Sequence, residues 1–125
     1  MSSDGFSTDH WPTEIRLKAA EKVLEIDFDD GSRFALPAEL LRVESPSAEV
    51  QGHGPDEKKL ITGRRHVGIM RLEPVGNYAI RIVFDDLHDT GIFSWQLLHH
   101  LGRNKDQIWQ DYLDELTTQG LSRDP

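Results

Sequence analysis

Cysteine is missing from all 125 residues, and that one absence removes several functions at once. The chain alone forms no disulfide, offers no thiolate nucleophile, and ligates no metal or iron–sulfur cluster through sulfur. Long apolar runs are missing too: none approaches the ~20 residues that a membrane-spanning helix needs. Positive charge is scarce, with 14 basic residues against 22 acidic ones and a net charge of −8. That balance argues against a nucleic-acid or anionic-membrane surface. The opening stretch, Met1-Ser2-Ser3-Asp4-Gly5-Phe6-Ser7-Thr8-Asp9-His10, has neither the basic start nor the apolar block of a signal peptide, so the chain is expected in the cytoplasm. Nucleotide fingerprints are absent as well. Gly52-His53-Gly54 is followed by no Gly-Lys-Ser/Thr and sits in no dinucleotide motif.

What is present suits one domain. Apolar residues make up 37% of the chain, low enough to leave room for tails or long polar loops. Residues 1–12 read as a disordered tail closing at Pro12, residues 13–118 as the folded domain, and residues 119–125 as a polar tail. Ile15 and Leu17 alternate with Glu14, Arg16 and Lys18, as in a strand. Leu24, Ile26 and Phe28 alternate again, and Asp29-Asp30-Gly31 turns the chain into a second arm, Ser32 to Leu36. Pro37 suits the first turn of a short helix running to Val43.

The stretch from Ser45 to Arg65 holds several prolines and glycines and is too long for an ordinary connection, which makes it either functional or mobile. Lys58, Lys59, Arg64 and Arg65 form a basic island there. Val67 to Pro74 and Tyr78 to Phe84 read as strands, the second with a partly covered reverse face. Ser94 is placed to cap a helix whose stripe is Trp95, Leu97, Leu98 and Leu101, with Gly102 as its C-terminal stop. Asn104 and Gln107 have capping-box spacing for a second helix, in which Ile108, Trp109, Tyr112, Leu113 and Leu116 recur at helical intervals before Gly120. Strands and hairpins come first and two helices last, without βαβ alternation. The expected fold class is therefore α+β, mainly antiparallel strands packed against two C-terminal helices.

The densest chemistry lies between the last strand and the capped helix. Asp85, Asp86, His88 and Asp89 fall within five positions. Carboxylates and an imidazole can ligate a divalent cation, which makes His88 with Asp86 or Asp89 the metal-binding candidates. Acidic residues also solvate turns for backbone reasons. Leu87, a bulky apolar residue inside this turn, is expected to pack on something or contact a partner. His99 and His100 are adjacent and diverge by about 100° on a helix, so they cannot ligate one ion side by side. Ser94 lacks the flanking glycines of a nucleophile elbow. No complete catalytic constellation is visible.

Glu73-Pro74-Val75-Gly76-Asn77-Tyr78-Ala79-Ile80-Arg81-Ile82-Val83-Phe84-Asp85-Asp86, followed by His88-Asp89-Thr90-Gly91-Ile92-Phe93-Ser94-Trp95, resembles the gamma-butyrobetaine hydroxylase-like N-terminal domain family in its small, free-standing bacterial form. Asp29-Asp30-Gly31-Ser32 with Leu36-Pro37-Ala38-Glu39-Leu40-Leu41-Arg42 matches the family's opening, and the likeness spans about residues 13–116. In the longer eukaryotic hydroxylases this domain precedes a 2-oxoglutarate oxygenase domain that carries the iron ligands, so the resemblance implies no oxygenase activity for these residues. Their N-terminal domain holds a structural zinc through three cysteines and one histidine. By the family pattern those cysteine positions fall on Ser45, Ser47 and Val50, and only the histidine is kept, as His88. The resemblance therefore implies no bound cofactor.

The family also occurs fused to P-loop scaffold ATPases of iron–sulfur cluster assembly. The resulting expectation is a non-enzymatic accessory or protein-interaction module linked to iron–sulfur or redox-metal metabolism. Its partner would be another protein, with such a scaffold ATPase as the implied candidate. The expected surface comprises Leu87, His88, His99, Arg64 and Arg65. The alternative is a metal-binding accessory or enzyme domain built on His88 and its neighbouring aspartates.

Overall fold

The first sheet follows directly from alternation. Leu24, Ile26 and Phe28 are buried on one side of β2 (Val23–Phe28), while the residues between them are only half-covered. β1 (Pro12–Lys18) and β3 (Arg33–Pro37) pair antiparallel with its two edges, and the register sets Leu24 opposite Leu36 and Ile26 opposite Phe34. Gly31 supplies the left-handed residue of the β2–β3 turn at φ +88°. Asp30 Oδ1 accepts a 2.9 Å hydrogen bond from the Ser32 N–H and fixes that turn.

The computed structural model describes residues 10–52 and 58–125. Most of the expected N-terminal tail, and His53 to Glu57 within the long connection, lie outside the described residues. His10 to Pro12 do not behave as a tail: Pro12 opens β1, and the Trp11 N–H donates to Asp29 Oδ1.

α1 (Ala38–Val43) buries all of its residues, including Glu39 and Arg42. A short helix that the sequence reading had not anticipated, α2 (Ala48–Gln51), follows within the long connection. The second sheet is β4 (Ile69–Val75), β5 (Ala79–Phe84) and β6 (Ile92–Ser94), with β5 in the middle. Both faces of β5 are covered: Ile80, Ile82 and Phe84 are buried on one side and Ala79 and Val83 on the other, leaving Arg81 exposed. One hydrophobic core joins β2, α1, β5 and α3 (Trp95–Arg103), drawing on Ile26, Leu41, Ile82, Phe93 and Leu98. A smaller cluster under α4 (Lys105–Thr118) holds Val43, Tyr112 and Leu116. The architecture is α+β, as expected, with antiparallel sheets and the two longest helices last. No helix of the described residues is long and apolar enough to cross a membrane.

Two capping expectations divide. The Ser94 Oγ does accept from the Leu97 N–H at 3.1 Å. Asn104 makes no side-chain cap, and the Gln107 side chain turns forward to Asp111, so no capping box forms. Gly102 is not a stop either. It lies inside α3, where a β-carbon would come within 2.3 Å of Phe34 Cγ. The glycine is there because the Phe34 ring lies flush against the helix backbone. Gly102→Ala should gain about 1 kcal/mol of helix propensity but cost ~1–3 kcal/mol of overpacking. A net fall in the thermal midpoint is expected, and a rise would show that the ring yields freely.

The residues after α4 are pinned rather than loose. The Gly63 and Arg65 N–H groups donate to Ser122 O and Arg123 O, at 3.2 and 3.0 Å. Arg123 reaches back to α1, holding the buried Glu39 carboxylate with two bonds of 2.7 and 2.9 Å, and its guanidinium lies over the Trp109 ring.

Candidate interaction site at the turn between β5 and β6

The turn begins where β5 ends. The Leu87 N–H donates to Phe84 O, and the Phe84 N–H receives its partner in His88 O at 3.0 Å. This closure places Leu87 in the left-handed region, at φ +73°, a position that glycine or asparagine ordinarily fills. Leu87 is nevertheless a leucine, and it is 86% exposed. Among the described residues, neither hydrophobic cluster includes it.

Two arginines hold the turn from below. Asp86 Oδ2 lies 2.8 Å from Arg42 Nε and 2.8 Å from Arg64 Nε, while Oδ1 accepts from the His88 N–H at 3.1 Å. Burial pushes the Asp86 carboxyl up; the Arg42 hydrogen bond, the His88 N–H and the charges of Arg42 and Arg64 together outweigh it and hold it below the usual carboxylate range. Both carboxylate oxygens of Asp86 are thus committed to protein partners.

His88 turns inward and is buried. Its Nδ1 lies 2.9 Å from Glu49 Oε2, and its Nε2 lies 3.0 Å from Ser45 Oγ and 3.3 Å from Ser47 Oγ. A carboxylate only accepts, so the His88 Nδ1–H donates this hydrogen bond to Glu49. Hydroxyl, imidazole and carboxylate stand in the order of a nucleophile, base and orienting group. Ser45 is fully buried, however, and a β-carbon at Gly91 would meet its Oγ at 2.3 Å. With that burial, the cluster reads as a hydrogen-bonded plug.

The fold brings together three of the positions to which the resemblance assigns zinc ligands. Ser45 Oγ, Ser47 Oγ and His88 Nε2 form a triangle with edges of 3.0, 3.3 and 3.5 Å, while Val50 is buried close by in sequence. Hydroxyls are not the sulfur donors of a structural zinc, and Glu49 sits on the far ring nitrogen. The residues present do not fit that metal.

The other expected site residues part company. Asp89 is exposed and shares no described contact with the His88 ring. Arg65 pairs with Asp124, and Lys58 with Glu44 at 2.8 Å, so the basic island is largely neutralised by acidic neighbours. His99 does not flank His88. It packs edge-on against Phe28 and Phe34, stacks on His10 and bonds Asp30. Sequence reasoning missed Arg42 and Glu49 as site residues. Arg42 had one visible signal, a charged side chain inside the apolar run Leu40-Leu41-Arg42-Val43; Glu49 had none.

The family model described as gamma-butyrobetaine hydroxylase-like, N-terminal, matches residues 15–99, from β1 into α3. A protein solved by solution NMR is 49% identical, with a TM-score of 0.81 over 93% of this chain and 91% of that one. A second NMR structure is 45% identical, also at a TM-score of 0.81, over 99% of this chain and 92% of the other. A crystal structure of a protein of unknown function from Acidithiobacillus ferrooxidans ATCC 23270, of the DUF971 family, is 40% identical with a TM-score of 0.62, covering 73% of this chain and 91% of that chain. No curated protein matches.

Proposed function

This chain belongs to the gamma-butyrobetaine hydroxylase-like N-terminal family, and from that premise we propose that it is a non-enzymatic accessory module that docks another protein through the turn between β5 and β6. The observation that carries the reading is Leu87. A left-handed leucine costs about 1–2 kcal/mol in backbone strain, and its side chain recovers nothing by burial. Strained residues that persist in this way concentrate at binding surfaces, and an apolar side chain on a rigid, polar-rimmed turn is suited to a partner's pocket. Asp86, Arg42 and Arg64 supply the rigidity.

The partner class we propose is a cytoplasmic protein of iron–sulfur or redox-metal metabolism, with a scaffold ATPase first. Support comes from the domain fusions known in the family, and the chain's own role is confined to contact. The test is direct binding of purified iron–sulfur scaffold ATPase to wild type and Leu87→Gly. Glycine tolerates the left-handed backbone, so the variant should be as stable as wild type or up to about 1 kcal/mol more so. Its affinity should fall about 30-fold, the equivalent of a ~2 kcal/mol hot spot. Unchanged affinity in a folded Leu87→Gly variant would remove this turn from the interface.

A further inference from the structure

A second cluster of donors, sharing no hydrogen-bond partner with His88 among the described residues, surrounds the β2–β3 turn. His10 Nδ1, Asp30 Oδ2 and His99 Nε2 lie within 4.8 Å of one another. His99 Nε2 is 2.9 Å from Asp30 Oδ2, and His10 Nδ1 is 3.4 Å from the same oxygen. We propose that these three residues bind one zinc-class divalent cation.

Four features of the structure support a built site. The three donor atoms already lie within 4.8 Å of one another, and a swing of one ring is what brings them to the ~3.3–3.6 Å edges of a tetrahedron with bonds of about 2.0–2.2 Å. Asp30 presents Oδ2 alone, because Oδ1 is held by the Ser32 N–H; a hydrogen bond on the free oxygen orients a monodentate ligand in just this way. His99 is buried, and its ring is fixed between Phe28 and Phe34, at centroid distances of 4.9 and 5.5 Å. Finally, a hollow of about 320 Å³ lined by His10, Gln96, His99, His100, Arg103 and Asn104 lies beside the two rings and has room for water.

Two imidazoles and one carboxylate select zinc and its late first-row neighbours over magnesium or calcium, which want oxygen ligands. The rings of His10 and His99 are stacked parallel at 3.6 Å with 1° between their planes, and one ion cannot lie in both planes at once. Binding therefore requires one ring to swing. The swing is assigned to His10 as the more accessible ring, its side chain being 34% exposed against 6% for His99. Asp30 and Ser32 remain where they are.

The experiment is a zinc titration of metal-free full-length chain by calorimetry, with stoichiometry from native mass spectrometry and ring signals followed by NMR. One zinc per chain is expected, with shifts of the His10 and His99 ring resonances and no response to magnesium. His10→Ala and Asp30→Asn should each weaken binding about 10-fold or more, while His88→Ala leaves it unchanged. Thermal midpoints of both variants, measured alongside, separate loss of binding from loss of folding. The inference is overturned if zinc does not bind at one equivalent, if both variants bind as wild type, or if affinity follows His88 instead.

Discussion

Replacing Trp95 with alanine is expected to remove ~3–5 kcal/mol of stability, a large share of the ~5–15 kcal/mol available to a domain of this size. The indole is 7% exposed and belongs to the main core, at the point where β6 becomes α3. Its Nε1–H donates to Asn77 O at 2.9 Å, so truncation opens a cavity and also strips a carbonyl of its donor. Trp95→Phe separates the two effects. It keeps most of the apolar volume and loses the hydrogen bond, with an expected cost of about 1 kcal/mol from that bond. Urea unfolding measures both. A loss below ~1 kcal/mol for the alanine variant would mean that Trp95 contributes little to packing.

The second large effect is expected at Asp86. Asp86→Ala leaves Arg42, which is 7% exposed, as a buried cation without its carboxylate. Stranding one member of such a pair costs ~3–5 kcal/mol. The value should fall toward the low end, because the Asp86 side chain is 20% exposed and that of Arg64 is 36% exposed. The pH dependence has a definite sign. Asp86 is held below its ordinary carboxylate value in the fold, so the unfolded chain takes up its proton first as pH falls. Its contribution is fully present above about pH 4, the unfolded value, and is lost as pH drops through the lower folded value. Asp27, held down mainly by its hydrogen bonds from Arg16, acts in the same direction. Stability of Asp86→Asn should therefore decline less steeply below about pH 4 than that of wild type. Parallel acid-unfolding curves would show that Asp86 titrates alike in both states.

The sequence and the structure agree where the governing forces are local. Alternation marks β2, β3 and β5, the Asp29-Asp30-Gly31 turn joins two of them, and Ser94 caps α3 through a bond to a residue three positions on. β6 escaped notice because only Ile92 to Ser94 form it, too few residues to show a period. Gly102 was misread for a different reason: its surroundings are set by Phe34, from another element. The candidate site was legible as a place and not as a set of partners. His88 meets Glu49 and Ser45 from 39 and 43 positions away, and Arg42 meets Asp86 from 44. No spacing rule reaches across such distances. His99 and His88 looked like neighbours because the chain places them close together; the fold sends one toward the β2–β3 turn and the other toward α2.

The clasp of Arg123 on Glu39 joins residues 84 positions apart. Closing so long a loop is entropically unfavourable until the intervening sheets already hold its ends near one another. Such a contact is expected to form late, after the rate-limiting step of folding, and to contribute little to how fast the native state is reached. What it sets is how long that state persists, because a bond absent from the transition state must break before the chain can climb back to it. The Arg123–Glu39 clasp is thus expected to govern the lifetime of the fold, and the β2–β3 hairpin, closed across a tight local turn, its assembly.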